Sequence, residues 1–471
     1  MLAIFLGREP LGDLLQTVVT ERGGAPLHFL LAWTVEHLGG GLTALRAVSL
    51  VFAIASVPLV ALLGRRLAGA QAGVAAAVLA SGTWVFLFHG IYGRMYSLFL
   101  FTSLLSFLAL LSALDHGGRR RFALWGLALL ASLATHPYAA LVVASQLLYV
   151  LLRRERVRDA LATVAVVGIA AAPFWWADVV LRDRFDVGVG GGGDRLGSPG
   201  AVLDHLWRVA GDFSVGHGPW LVPVLLLAVL GLARTRERFL VASVFALPAI
   251  AFTVATLGSS TSPESRHLIY ALPFFGVLLA APLLTLPRVL AFVALAALLG
   301  GEVVWAHHKT PVLFDGDPAA VTRARDEAGA WLADTFRSDD VLLGYEPVYL
   351  EAWEHDHSFA RHVLPRADPV LFRDALKDVP GPLGRGVWVF DAHDTTNGRQ
   401  RQSISLAVPN PAGAFEARVF GPYLVIRSRR ALGTQARYVT VSKEVMRLGE
   451  RLGIGDASIN LRTLDRAGSA F

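Results

Sequence analysis

A polytopic α-helical membrane protein with a small soluble α/β domain at its C-terminal end is the fold class this sequence predicts, and three observations predict it. Of 471 residues, 54% are hydrophobic and 17% charged, with a mean hydropathy of +0.51. That balance is too apolar for a soluble chain of this length. Apolar runs recur: residues 67–88 and 95–114 contain no Asp, Glu, Lys or Arg, and each reaches about 30 Å as a helix, the thickness of a bilayer's hydrocarbon core. Beyond residue 310 charged residues become frequent and apolar ones alternate, as in a water-soluble α/β fold.

The chain opens with a first external loop, residues 1–43. Within it residues 26–38 read as an amphipathic helix, with Leu27, Leu30, Leu31 and Leu38 on one face, Pro26 at its first turn and Gly39-Gly40-Gly41 at its end. Thirteen residues reach only about 20 Å, so this helix is expected to lie in the interface. About ten spans follow, at 44–63, 70–88, 95–114, 121–135, 137–152, 159–180, 219–233, 239–258, 268–286 and 288–306. Arginine-rich turns at Arg65-Arg66, Arg119–Arg121, 153–158 and 234–238, and more weakly at Arg288, alternate with turns lacking them. By the positive-inside rule the arginine-rich set is cytoplasmic. The opposite, external set comprises 1–43, 89–94, His136-Pro137, 181–218, 259–267 and everything after 306. The 121–135 and 137–152 segments are short for a crossing, but arginines on both sides keep them as two helices meeting at His136-Pro137. In the loop 181–218, Gly188 to Gly193 is nearly all glycine and reads as either a lid or a tether. The transmembrane core thus covers 44–309. An extracytoplasmic α/β domain covers 310–430, with a helix from Pro318 to Arg337 and strands at 341–343, 387–390 and 423–426. Residues 431–471 read as a basic polar tail without a packed pattern.

Net charge +6 with a pI near 9.8 would suit nucleic acid, but the arginines fall in short clusters that report topology, so no nucleic-acid partner is expected. Without cysteine there is no thiolate site. No phosphate-binding glycine loop, HExxH or nucleophile elbow is present. The external turns carry Arg94 and Tyr96, His136 and Tyr138, and Arg266 and His267. Arginines there suit a phosphate through bidentate charge-assisted hydrogen bonds. Taken singly, Arg94 reads sooner as an arginine snorkelling to headgroups and His136 as a turn residue, and Arg266 reads as readily as the partner of Glu264. His307-His308 and His355, His357 and His362 lack metal-ligand spacing and read as solvated surface, so no metal site is assigned.

The stretches Ala25-Pro26-Leu27-His28-Phe29-Leu30-Leu31, Leu45-Arg46-Ala47-Val48-Ser49, Leu63-Gly64-Arg65-Arg66-Leu67, Tyr92-Gly93-Arg94-Met95-Tyr96, Thr135-His136-Pro137-Tyr138 and Ser265-Arg266-His267-Leu268 together resemble the GT-C superfamily of membrane glycosyltransferases. The likeness is to the protein O-mannosyltransferase-like group, with the lipid A aminoarabinose transferases and lipopolysaccharide galacturonosyltransferases. It implies a GT-C-like fold in the plasma membrane and transfer of a sugar from a polyprenyl-phosphate donor to an envelope acceptor at the outer face. It places Arg94, Tyr96, His136, Arg266 and His267 on the phosphate side, and it leaves a divalent ion open. It also implies a carboxylate base in an Asp-Glu pair after a first span. Here that pair is expected upstream of Met1; nearby acids are Glu9, Asp13 and Glu21, of which Glu9 and Asp13 are the candidates within the chain. The acid that the family's Glu-Ala-Arg-Met-Tyr segment carries is replaced by Tyr92. Two further readings stand beside transfer: a non-catalytic assembly protein, and a transporter of lipid-linked substrate, which spans with almost no ionisable residues disfavour.

Overall fold

The structure is a computed structural model that describes every residue except 1, 23, 182–195, 258–262, 314–317, 360–361 and 392–413. The chain forms two compact units, one built from 6–180 and 193–310, the other centred on 311–471.

In the first unit each of the ten expected spans coincides with a helix. They are Gly41–Ala68, the pair Ala70–Gly82 and Trp84–Gly90, Tyr96–His116, Arg119–Leu133, Ala139–Arg153, Val157–Ala171, Leu221–Arg234, Arg238–Ala255, Leu272–Leu283 and Arg288–Leu313. Six segments among the described residues are long and apolar enough to cross a bilayer, seven with the pair bent by 66° at Thr83. Arg119–Leu133, Ala139–Arg153 and Leu221–Arg234 are shorter, at 15, 15 and 14 residues. Gly69, at φ +100°, makes the tight reversal between the first two helices, a conformation that suits glycine.

Lipid offers no hydrophobic drive for helix association, so polar side chains fasten helices to one another. Gln146 Nε2 donates to Ser106 Oγ at 2.7 Å while its Oε1 accepts from Trp125 Nε1 at 2.6 Å, and Ser103 and Ser132 hydroxyls bond at 3.1 Å. This thread ties the two short helices to each other and to Tyr96–His116. At the end of the bundle bearing the arginine-rich turns, Asp115 is paired with Arg66 and, at 3.3 Å, with Arg153. Tyr149 donates to Glu237 at 2.6 Å there.

The amino-terminal region holds more helix than expected, since Leu11–Glu21 is helical as well as Leu27–His37. The face that Leu27–His37 buries is not the leucine face. His28, Phe29, Ala32 and Val35 are buried, whereas Leu27, Leu30 and Leu31 are half-buried and Leu38 is 81% exposed. The inner face is thus taken by His28 with Phe29, Ala32 and Val35, and the leucines lie toward the outside of the bundle. Loop 181–218 contains a further helix, Pro199–Asp212, capped by Ser198. Its glycine run lies outside the described residues.

The second unit is a three-layer α/β domain. Its sheet has the order β1-β2-β4-β3, with β1 (Val341–Gly344) parallel to β2 (Gly386–Asp391), and β4 (Tyr423–Ser428) antiparallel to both β2 and β3 (Phe415–Phe420). Val387, Val389 and Val425 pack on Ala328, Leu332 and Val348 of one helical layer. Trp388, Phe390 and Ile426 pack on Phe372, Tyr438, Met446 and Leu464 of the other. The expectation of a polar tail at 431–471 is therefore corrected: Gln435–Arg451 and Gly455–Ala467 are helices of this second layer. Tyr438, Ser442, Val445 and Gly449 recur at helical spacing on the buried face, a stripe masked by the charges around it.

Candidate active site

Three turns at the end of the bundle opposite the arginine-rich turns carry the predicted residues. Gly93, at φ +72° with Arg46 close against it, turns the chain so that Arg94 precedes the helix starting at Tyr96. The helix Arg119–Leu133 ends at Ala134, and the backbone N–H of Tyr138 donates to His136 Nδ1 at 3.1 Å. A 3-10 helix, Ser265–Ala271, is closed by a reciprocal cap. Glu264's carboxylate accepts from the N–H of His267, and His267 Nδ1 accepts the N–H of Glu264 at 2.9 Å.

Those turns converge. The Tyr96 ring lies 5.6 Å from His136 and 6.0 Å from His267, whose rings are 5.4 Å apart. The guanidinium groups of Arg94 and Arg266 stand 5.8 and 5.2 Å from the Tyr96 ring, within cation–π range. Tyr96, His136 and His267 are buried, while Arg94 keeps solvent contact. All five predicted binding residues thus form one cluster.

Electrostatics decide the state of the imidazoles. Burial, and then the charges of Arg94 and Arg266, lower the pKa of His136 to about 3, so it is neutral near pH 7. Tyr96 first, then Tyr92 and Glu264, raise that of Arg94. A neutral imidazole carries one N–H and one lone pair. In His136 and His267 the Nδ1 lone pair is spent on a backbone N–H, which leaves the proton on Nε2. Each ring is fixed as a hydrogen-bond donor beside two permanent cations.

Several members of the cluster went unassigned at the sequence level. His28 is buried, and burial followed by the charge of Arg94 lowers its pKa to about 3. The Leu27 N–H, donating to Ala134 O at 2.7 Å, ties its helix to the His136 turn. His89 is 1% exposed, surrounded by Trp84, Phe88, Tyr92 and Tyr96, and neither nitrogen has a hydrogen-bond partner among the described residues. Beside Arg266 the buried Asp212 accepts from Ser265 and from Lys309 at 2.5 Å, and Lys309 stands 3.8 Å from the Trp84 ring. Sequence spacing gives no signal for Asp212 or Lys309, which come from distant elements. The candidates Glu9 and Asp13 are exposed; the helix bearing Asp13 packs against Leu27–His37 and against 172–180.

The first unit is thus a helical membrane bundle whose short turns gather arginines and neutral imidazoles at one end, and the sequence continues into a small α/β domain. Residues 23–176 match the family described as dolichyl-phosphate-mannose-protein mannosyltransferase. The fold is similar to the crystal structure of ArnT from Cupriavidus metallidurans in the apo state, at 16% identity and a TM-score of 0.51 over 90% of this chain and 91% of that one. The structure of ArnT from the same organism bound to undecaprenyl phosphate aligns at 14% identity and 0.49 over 90% and 92%. No curated protein matches the chain. Likeness in sequence to that family thus covers 23–176, and likeness of fold to the apo ArnT structure covers nine tenths of the chain.

Proposed function

We propose that this protein transfers a sugar from a polyprenyl-phosphate donor to an envelope acceptor at the outer face of the plasma membrane. The observation that carries the reading is the convergence of Arg94 and Arg266 on Tyr96 beside His136 and His267. Two cations and two fixed N–H donors match the oxygens of a phosphate on which charge grows as the sugar departs. The description of the matching family names a dolichyl-phosphate sugar, which favours a lipid-linked donor. An apolar cleft of about 670 Å³, lined by Trp220, Val224, Leu227, Leu298, Trp305 and His308, gives a prenyl chain a path between helices toward Lys309 and Asp212.

Binding of decaprenyl phosphate to the purified protein tests this. Arg94→Ala and Arg266→Ala should each weaken it by about 10- to 100-fold, the equivalent of about 1.5–3 kcal/mol for a charged hydrogen bond, without lowering thermal stability. Lysine should restore only part, lacking the planar fork. Unchanged binding in both alanine variants would leave the arginines as headgroup anchors.

One observation favours transport as a second reading. The span broken at Thr83 packs against Glu302, a buried carboxyl with no hydrogen-bond partner among the described residues, and a broken helix beside an ionisable group is a feature of transporters. Proteoliposomes separate the two readings, since net movement of a labelled polyprenyl-phosphate sugar without any acceptor would favour transport.

A further inference from the structure

We propose that the surface formed by Arg119, Arg120, Arg121 and Arg156, at the end of the bundle bearing the arginine-rich turns, binds the phosphate of an anionic phospholipid headgroup. The inference requires neither transfer nor transport and stands apart from the cluster around Tyr96. Two guanidinium groups meet at Gly117. Arg121 donates to the carbonyl of Gly117 at 3.2 Å. Arg156 donates from Nε to Leu114 O at 2.9 Å, and its guanidinium lies so close against Gly117 that any side chain there would collide with it. Arg119 and Arg120 begin the same helix as Arg121, and all four arginines are exposed.

The neighbouring carboxylates leave this charge unbalanced. Asp115 is held by Arg66 and Arg153, and Glu155 by Arg153. Asp159, almost one turn past Arg156, is exposed, and neither it nor any of the four arginines forms an ion pair among the described residues. Like charges brought to one glycine with no carboxylate between them repel. An anion resting there removes that repulsion and accepts charge-assisted hydrogen bonds from the planar forks. Sorting of charge across a membrane calls for arginines at this end, but not for two of them on one residue. The helices decide which anion fits. Arg119–Leu133 packs on Val157–Ala171, with Gly126 against Thr163 and Val167, and Leu124, Leu127, Leu161 and Ile169 are exposed along the pair. An apolar surface therefore leads away from the arginines. A phosphate carried on acyl chains engages both parts, as in the basic pockets between spanning helices that seat anionic headgroups, whereas a free phosphate engages only the first.

The test is native mass spectrometry of the purified full chain in detergent, titrated with phosphatidylglycerol, with phosphatidylcholine and with inorganic phosphate as competitor. Phosphatidylglycerol should bind at least about tenfold more tightly than phosphatidylcholine. Arg121→Gln combined with Arg156→Gln should lower its affinity about 25-fold, or about fivefold per charge. Arg119→Gln with Arg120→Gln, at side chains that make no hydrogen bond among the described residues, should lower it similarly and leave the melting temperature unchanged. Arg234→Gln with Arg238→Gln removes the same charge from another turn at this end and should change affinity by less than about twofold. Equal binding of the two lipids, or a loss in that control pair as large as in the other two, would overturn the proposal and leave the arginines as topology signals. So would wild-type affinity in both of the other pairs. Displacement of phosphatidylglycerol by an equal concentration of inorganic phosphate would overturn the lipid as occupant and make the site one for a free anion.

Discussion

Two histidines of the cluster make stability depend on pH in a defined direction. His28 and His136 have folded pKa values of about 3 against an ordinary 6.5, so the unfolded chain binds their protons first. Their neutral state therefore favours the fold above pH 6.5, and stability is lost as pH falls from 6.5 toward 3, by up to about 1.4 kcal/mol per pH unit for each ring. The melting temperature should fall between pH 7 and pH 5, and His28→Asn with His136→Asn should flatten that fall; an unchanged slope would show the rings to be reached by protons in the fold. At this scale the sequence was readable where residues lay in short turns without arginine clusters: Arg94, His136 and Arg266 belong to three turns that helix parity brings to one end. It was unreadable for His28, which sits among leucines that look like the buried face, and for His89, the last polar residue of an apolar run.

Elements meet where Lys309, near the end of Arg288–Leu313, reaches Asp212 at the end of Pro199–Asp212. Lys309→Met would strand a buried carboxylate and should cost about 3–5 kcal/mol, whereas Lys309→Met combined with Asp212→Asn should recover most of it. Thermal unfolding of the four forms measures the coupling, and additive losses would mean the two helices are held by apolar packing alone. Neither partner could be paired from the sequence, because 96 residues of unrelated pattern lie between them. The spans were legible because lipid demands unbroken apolar length, and the two short helices because arginines flank them. The helices at 435–451 and 455–467 were not, since an amphipathic helix on a water-facing domain hides a narrow apolar stripe among its charges.

At the scale of the whole molecule the charges are sorted: arginine-rich turns with Asp115 and Glu237 collect at one end and the cluster at the other. This sorting supports a cytoplasmic and an external face, and the absence of cysteine makes it directly measurable. Single cysteines at Gly39 and Ser358 should react with a membrane-impermeant thiol reagent from outside, and one at Glu155 should not; labelling of position 155 in intact cells would invert the protein. The shortness of Arg119–Leu133 and Ala139–Arg153 has a consequence for the surrounding lipid. Fifteen residues span about 22 Å, some 8 Å less than a typical hydrocarbon core, and Leu124, Leu127, Leu151 and Leu152 are exposed along them. A bilayer meeting this face must thin locally, at a fraction of a kcal/mol per ångström. On the transfer reading proposed above, thinning there lowers the headgroup plane to the turn at His136, so that a donor phosphate drifting along the leaflet meets the cluster without leaving the membrane.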